Sequence, residues 1–376
     1  MSRLARVYRP KNLSQIVGQP HLQAQVAALW RSGSLPSAFL CSGPSGHGKT
    51  TMARVIGRLV NCENPKGAEA CGKCQSCTSM DLGHHKDFKE YDAASERGID
   101  FVRNLTRNAQ FTPNFNYRVA VLDEVHGMTR PAMEALLKLL EEGGSKGDKP
   151  TTIFILCTTD PGALPTTVLQ RCTQLHFRHI TPEDISSDLL RPVAKAEKWK
   201  VGKSVRAEIA KASDATPRLA LGLLESVVLT AKEQGVKLNA SADKAEALVT
   251  NTLKKLGYIP PQRTAVQIVQ ACFASDVHKA AGLIQAAPRV DKVVAALYNA
   301  MYLGAANIVA GRTHARAMGF DKLPLDTLTD LMLEAQNLLG AVDRAPFGQE
   351  IKAGLQRLTV LLAQARPGKP KKKRKK

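Results

Sequence analysis

The stretch Gly43-Pro44-Ser45-Gly46-His47-Gly48-Lys49-Thr50 constrains this chain more than any other. It fits the phosphate-loop pattern G-x-x-x-x-G-K-[ST], follows the apolar run Ala38-Phe39-Leu40 and precedes a helical pattern over Thr51 to Val60. Strand, glycine-rich loop and helix in that order predict an α/β fold with a phosphate site at a helix N-terminus. Gly43, Gly46 and Gly48 let backbone amides curl around phosphate oxygens, with His47 and Thr51 in the same turn. Lys49 supplies a point charge at the β and γ phosphates, and Thr50 a hydroxyl ligand for Mg2+.

A second apolar run, Val119-Ala120-Val121-Leu122, ends in Asp123-Glu124. At the C-terminal end of a buried strand, Asp123 is predicted to hold Mg2+ and Glu124 to orient and polarise the attacking water of a phosphoryl transfer. A third run, Thr152 to Cys157, ends in Thr158-Thr159-Asp160-Pro161. Taken alone these residues read as an ordinary strand end; beside a nucleotide, Thr158 would sense the γ-phosphate or the water. With Ser37 to Ser42, the runs read as short buried strands of a parallel sheet ending near residue 180. Amphipathic helical patterns follow at Asp184 to Ala194, Arg206 to Ala212 and Arg218 to Ala231. A polar stretch, Gln234 to Lys244, then precedes a further helical block that includes Val293 to Ala310 and Leu325 to Leu339. The predicted organisation is a parallel-sheet domain over 1–178, a small helical domain over 179–240, an all-helical domain over 245–366 and a disordered basic tail over 367–376.

Lys and Arg number 53 against 33 Asp and Glu, a net charge of +20. The last eight residues supply +7 of it through Lys369, Lys371, Lys372, Lys373, Arg374, Lys375 and Lys376, leaving +13 on the rest. A hydrophobic content of 44% excludes a disordered or fibrous chain, and the surplus charge predicts an anionic partner such as nucleic acid. The tail has the composition of a basic nuclear-import signal, and an arm for DNA phosphates explains the same charge. No run of eighteen apolar residues occurs, and Met1 to Pro10 has no long apolar stretch behind it. Neither a membrane span nor a secretory leader is predicted, and the chain reads as intracellular. Four of the eight cysteines, Cys62, Cys71, Cys74 and Cys77, have the spacing C-x8-C-x2-C-x2-C. Four thiolates in a reducing compartment predict a closed, structural zinc site, with a redox or bridging role as the alternative. Cys41, Cys157, Cys172 and Cys272 read as small core residues, and His84 and His85 as surface residues.

Together these residues resemble the clamp loader ATPases of the AAA+ class, in particular the gamma/tau subunits of bacterial DNA polymerase III. The likeness covers about residues 3 to 230. It includes Leu4-Ala5-Arg6-Val7-Tyr8-Arg9-Pro10, Ile16-Val17-Gly18-Gln19, the phosphate loop, Tyr91-Asp92-Ala93-Ala94-Ser95 and Asp123-Glu124-Val125-His126. Further on it includes the stretch from Ala135 to Glu142, Gln170-Arg171-Cys172 and Pro217-Arg218-Leu219-Ala220-Leu221. The resemblance implies that Arg9, Pro10, Val17 and Gly18 embrace the adenine of ATP. It implies that Arg218 contacts the γ-phosphate from a small helical lid, and that Arg171 reaches in trans into a neighbouring subunit's ATP site. Gln170 stands where the family has Ser. Gly143 to Lys149 replaces a proline pair typical of the family, predicting a more mobile loop. The cysteine module sits at the family's own insertion, and the last helical block, with Phe347 to Ala365, corresponds to an oligomerising collar. Ending at residue 376, the chain resembles the short gamma form.

The function this implies is ATP-driven opening of a sliding clamp and its placement on primer-template DNA, in the cytoplasm of a bacterial or phage-infected cell. The implied partners are other clamp loader subunits in a pentameric assembly with several copies of this chain, the clamp, the DNA and a replicative polymerase. Arg97, Arg103, Arg107 and Arg130 are candidate DNA phosphate contacts, and a solvated basic face accounts equally for each. One rival is an AAA+ DNA motor or helicase, which would need a DNA-pushing hairpin or a winged helix; neither has a signature in the sequence. The other is a non-hydrolysing structural subunit, which would lack the lysine or the carboxylate, whereas Lys49, Thr50, Asp123 and Glu124 are all present.

Overall fold

The computed structural model describes residues 2–142, 145–146, 149–213, 215–238 and 242–255, with short helical pieces at 267–271, 282–283, 297–298 and 329–333. Up to residue 176 the elements are α1 (Arg3–Val7), a 3-10 turn at Leu13–Gln15, α2 (Pro20–Arg31), β1 (Ala38–Ser42), α3 (Lys49–Val60), α4 (Gln75–Leu82), β2 (Phe88–Asp92), α5 (Ile99–Ala109), β3 (Arg118–Asp123), α6 (Arg130–Glu142), β4 (Ser145–Lys146), β5 (Lys149–Pro150), β6 (Thr152–Thr158), α7 (Thr166–Arg171) and β7 (Thr173–His176). Five strands pair in parallel in the order β2-β3-β6-β1-β7. The register sets Cys41 against Cys157, Ser42 against Thr158 and Leu122 against Leu156. The C-terminal tips of β1, β3 and β6, which lead into the phosphate loop, Glu124 and Thr159, therefore lie side by side.

Every residue of β1 and β6 is buried, because helices cover both faces. Successive side chains go to opposite layers. Leu40, Leu122, Phe154 and Leu156 pack with Val102 of α5 and Leu136 of α6. Phe39, Val121 and Ile155 pack with Met52 and Ile56 of α3 and with Leu22 of α2. Each such side chain contributes about 1.5–3 kcal/mol on burial. The three predicted strands are present. β2 and β7 were not predicted; they are the two edges of the sheet. β2 reads Phe-Lys-Glu-Tyr-Asp with Lys89, Glu90 and Asp92 exposed, an edge protected by charge instead of an apolar run. In the segment that replaces the proline pair, β4 and β5 form a short antiparallel ladder.

A helical portion follows. α8 (Pro182–Asp184) passes through a π-helical segment, Ile185–Leu190, into α9 (Arg191–Ala196). Thr181 caps its start, its hydroxyl accepting from Asp184 N at 3.1 Å while Asp184 accepts from Thr181 N at 3.3 Å. Pro192 explains the π segment: it lacks an amide proton and crowds the preceding turn, and the widened turn just before it absorbs both. α10 (Lys203–Ala212) and α11 (Pro217–Glu233) match the predicted helices in place. α12 (Ala242–Lys255) begins inside the stretch read as a linker, because Ala242-Asp243-Lys244-Ala245-Glu246-Ala247 favours helix despite its polarity. α1 packs on α11. Two side chains of the N-terminal segment clamp Glu197 beyond α9: Arg3 Nη2 donates to Oε2 at 2.6 Å, and Tyr8 Oη to Oε1 at 2.8 Å.

The chain divides into two compact units, Met1–Thr252 and Leu253–Lys376. In the second, Ile268, Val269, Leu297 and Leu331 are buried. The remainder of the predicted helices Val293 to Ala310, Leu325 to Leu339 and Phe347 to Ala365, Cys272, and the basic tail lie outside the described residues. Among the described residues no helix is long and apolar enough to cross a membrane.

Candidate functional site

The loop after β1 turns through Gly43, Gly46 and Gly48, all at positive φ, and ends as the N-cap of α3. Gly46 lies at φ +79°, and a Cβ there would stand 2.6 Å from Thr216 Cγ2, so a bare backbone is what lets the helical portion approach the loop. Lys49, only 5% exposed, donates to Gly43 O at 2.9 Å and Pro44 O at 3.0 Å. Burial holds its ammonium below the usual lysine range, against the pull of Glu124 and Asp123. Thr50 Oγ1 donates to Asp123 Oδ2 at 2.8 Å, which brings the two predicted Mg2+ ligands together. A hydroxyl and a carboxylate at one point are the oxygen donors a magnesium ion takes.

Glu124 follows at φ +52°, ψ +45°, a left-handed conformation that costs a non-glycine residue about 1–3 kcal/mol. Its Oε2 accepts from Thr159 Oγ1 at 3.3 Å and lies 3.4 Å from His126 Nδ1. Thr158 Oγ1 gives its single proton to Asp160 O at 3.0 Å and accepts from Asp160 N at 3.1 Å. His126 Nδ1, 3.1 Å from the same oxygen, is therefore the donor of that contact, and the network assigns its proton to Nδ1. One imidazole thus links Glu124 to Thr158.

A cavity of about 350 Å³ opens beside the loop. Its lining includes Arg9, Pro10, Val17, Gly46, His47, Gly48, Lys49, Thr50, Thr51, Asp123, Glu124 and Arg218. Twelve of the predicted residues, drawn from the N-terminal segment, the sheet tips and the helical portion, therefore share one cavity. Gly18, Gly43, Thr158 and Arg171 lie outside its lining. Gly18 turns the chain at φ +70° beside Ile180. Arg171, at the end of α7, pairs with Glu141 of α6 and donates to Thr167 O at 2.9 Å. Sequence reasoning missed Tyr8, Ile16, Arg54, Glu90, Leu189 and Leu221 in the lining. The signal for Arg54 was available, since it stands one helical turn after Thr50 and so on the same face of α3. Glu90, which Arg54 grips with two nitrogens, carried no signal of its own on an edge strand. Burial, then the neighbouring Arg54, holds the Arg9 guanidinium below its usual range. Arg9, Arg54, Arg218 and Lys49 at one cavity suit a polyanion with an apolar-edged base, and the volume is that of a small-molecule site.

The four cysteines converge as well: the Sγ atoms of Cys62, Cys71, Cys74 and Cys77 all lie within 4.8 Å of one another. Backbone amides point at the sulfurs, Cys71 N at Cys62 Sγ (3.2 Å), Cys74 N at Cys71 Sγ (3.4 Å) and Cys77 N at Cys74 Sγ (3.4 Å). The amides of Lys73 and Cys74 pull the Cys71 thiol down to about 6, whereas burial pushes Cys77 up to about 12. Four sulfurs in amide-donating turns fit a tetrahedral metal, whose charge favours the thiolate form of all four. His84 is exposed as expected, but His85 is a buried residue, which corrects its surface assignment. Its Nδ1 accepts from Asp87 N (3.3 Å), its Nε2 donates to Ser76 Oγ (3.0 Å) and its ring stacks on Phe115, so it seats α4 against the sheet. Cys41, Cys157 and Cys172 are buried thiols, as predicted. Arg97, Arg103, Arg107 and Arg130 are all exposed on or beside α5 and α6, with Arg103 paired to Asp100 and Arg130 to Glu134.

A family model described as "DNA polymerase III, delta subunit" matches residues 18–181. The tau subunit of DNA polymerase III of Bacillus subtilis is 35% identical over 226 residues, covering 60% of this chain and 39% of the relative. The gamma/tau subunit of Mycoplasma genitalium is 31% identical over 278 residues, 74% of this chain and 44% of the relative. The tau subunit of Escherichia coli is 38% identical over 188 residues, 50% of this chain and 28% of the relative. The chain thus spans less than half the length of these relatives. Among solved structures, the Thermotoga maritima RuvB Holliday junction branch migration motor superposes with a TM-score of 0.51 at 18% identity, over 70% of this chain and 79% of that one, a likeness of fold. With the parallel sheet, the phosphate loop and the cysteine module in place, the chain is similar to the gamma and tau subunits of DNA polymerase III.

Proposed function

We propose that this chain is an ATP-hydrolysing subunit of a sliding-clamp loader, acting in a bacterial or phage-infected cytoplasm. The observation that carries the reading is the Thr50–Asp123 hydrogen bond beside Lys49 and Glu124, in a cavity that also takes Arg218 from the helical portion. On this reading the sheet domain (1–178) and the helical lid (179–240) close on ATP from two sides, and the block over 245–366 forms the oligomerising collar. Arg9, Pro10, Val17 and Gly18 hold the adenine side; Gly43, Gly46, His47, Gly48 and Thr51 present the loop to the phosphates. Lys49 leaves the loop carbonyls for the β and γ phosphates. Thr50 and Asp123 hold Mg2+, which when bound neutralises phosphate charge. Glu124 orients the attacking water, with Thr159 and His126 fixing its carboxylate and Thr158 reporting on the γ-phosphate. Arg171 serves a neighbouring subunit's site in trans, where a guanidinium stabilises charge on the transferred phosphoryl group. Cys62, Cys71, Cys74 and Cys77 hold a structural zinc. The partners are other clamp loader subunits, the clamp, primer-template DNA gripped by its phosphates, and a replicative polymerase.

The test is steady-state ATPase activity with the partner subunit and clamp, with and without primer-template DNA. Stimulation that requires clamp and junction together is expected. Turnover driven by DNA alone and indifferent to the clamp would replace this reading with that of a DNA motor.

A further inference from the structure

The cysteine module touches the nucleotide cavity's wall from behind. Arg9, Pro10, Ile16 and Val17 line the cavity, and between them residues 11–14 contact the module and the helix that follows it. Glu69, inside the Cys62 to Cys71 loop, accepts the backbone amides of Leu13 (3.0 Å) and Ser14 (2.9 Å), one on each carboxylate oxygen. Ala70 N donates to Asn12 Oδ1 at 3.2 Å. Lys11 Nζ lies 3.0 Å from Asp81 Oδ2 on α4, and Arg58, buried in the last turn of α3, pairs with the same carboxylate. Trp30 Nε1 donates to Gly67 O at 2.8 Å, and Ala68 packs on the core cluster that contains Leu13 and Ile16. On its other side Gln23 Nε2 donates to Ile16 O at 2.6 Å, and Leu13 and Ile16 pack into the core beside the sheet. Within the stretch, Gln15 Oε1 accepts from the amides of Lys11 (2.7 Å) and Asn12 (3.2 Å), and a single 3-10 turn so short depends on the longer-range contacts as well for its shape. Loop 63–70 is in turn closed by Cys62 and Cys71, two of the four sulfurs a metal would gather.

We propose that the cysteine module braces the N-terminal wall of the nucleotide cavity, and that Glu69, Asn12 and the Lys11–Asp81 pair are the contacts through which metal occupancy sets nucleotide affinity. The proposal rests on the nucleotide-binding reading of that cavity. The wall is competent when Glu69 and Ala70 are in place. When the sulfurs are no longer gathered, loop 63–70 loosens, the amides of Leu13 and Ser14 lose their acceptor, and Arg9, Pro10, Ile16 and Val17 leave their places. A fall of the competent fraction to about one-tenth raises the apparent Kd about tenfold. Glu69, Asn12, Lys11 and Asp81 act as positioning residues, since none of them lines the cavity.

The experiment titrates the 376-residue chain with N-methylanthraniloyl-ATP and measures bound zinc by atomic emission on the same samples. Glu69→Ala should raise Kd about tenfold while retaining the wild-type zinc content and a cooperative melt, with Glu69→Gln in between. Stripping zinc from the wild type should raise Kd to a similar extent, and stripping Glu69→Ala should add little, because both perturbations release one wall. If Glu69→Ala does not fold, Asn12→Ala removes a different contact of the same brace and carries the test. Wild-type affinity in a folded, zinc-replete variant, or effects of stripping and substitution that simply multiply, would overturn the brace alone. No binding by the zinc-replete wild type would overturn the nucleotide reading, and the brace with it.

Discussion

Replacing Gly46 by alanine tests whether the phosphate loop and the helical portion are fitted to each other through a missing side chain. Two costs add at this position. An alanine at φ +79° pays about 1–2 kcal/mol for the left-handed backbone. Its Cβ would also stand 2.6 Å from Thr216 Cγ2, about 1 Å inside an ordinary carbon contact, an overpacking of about 1–3 kcal/mol. Gly33, at φ +67° with nothing within 4 Å, bears only the first cost. Gly33→Ala should therefore lower Tm by about 2–4 °C per kcal/mol of backbone strain and leave nucleotide affinity unchanged. In Gly46→Ala the overlap is relieved by moving α11, whose N-cap is Thr216 and whose first turn carries Arg218. Nucleotide Kd should then rise about tenfold for each 1.4 kcal/mol. Adding Thr216→Ser deletes Cγ2 and should restore affinity but not the thermal loss. The assays are N-methylanthraniloyl-ATP titration and thermal melting on the wild type and the three variants. Gly46→Ala binding as tightly as Gly33→Ala, or Thr216→Ser failing to restore affinity, would refute the reasoning.

Lys49→Ala should reduce ATP turnover at least about 100-fold, measured by phosphate release, because no other ammonium lines the cavity among the described residues. Arg171→Ala should leave nucleotide Kd unchanged and lower assembled-complex turnover about 10³-fold, and mixing it with Lys49→Ala protein distinguishes trans from cis action. The Arg3 and Tyr8 hydrogen bonds hold the Glu197 carboxyl below its ordinary value near 4.5. A depressed folded-state value contributes stability that is present above 4.5 and lost as pH falls through the folded value. The Tm difference between wild type and Glu197→Gln should accordingly be constant near neutrality and shrink below pH 4.5; a difference that grows on acidification would contradict the clamp.

The buried half of the fold was legible because it is written as local runs. β1, β3 and β6 each carry an unbroken apolar run (Ala38–Cys41, Val119–Leu122 and Ile153–Cys157), and the loop and the Asp123-Glu124 pair mark their tips. The edges were not, since Phe88–Asp92 is half charged and Thr173–His176 spans only four residues, too short for periodicity to register. His85 misled for a related reason: in sequence it follows Gly83 and His84 and precedes Lys86, all exposed, and only the fold supplies Ser76, Asp87 and Phe115. The same applies to Glu197, whose partners lie 189 and 194 residues away. In the cavity, residues belonging to a spaced motif were found and Arg54 was within reach of helical spacing from Thr50, while Glu90 and Leu189 enter through tertiary packing. The contacts of Glu69 with Leu13 and Ser14, 56 and 55 residues apart, leave no trace in any local pattern.

Among the described residues, the three buried thiols outside the cysteine module make the protein its own timer. Cys41 and Cys157 face each other across β1 and β6, directly beneath the phosphate loop, and Cys172 follows Arg171 at the end of α7. Burial pushes the Cys172 thiol up to about 12, so in the closed state it has almost no reactive thiolate at neutral pH. An alkylating reagent therefore modifies Cys172 only during excursions that unseat the segment bearing Arg171, and modifies Cys41 and Cys157 only when the sheet itself parts. Pulse alkylation read by mass spectrometry should yield two separate rates from one sample, the faster for the arginine's perch and the slower for the platform under the loop.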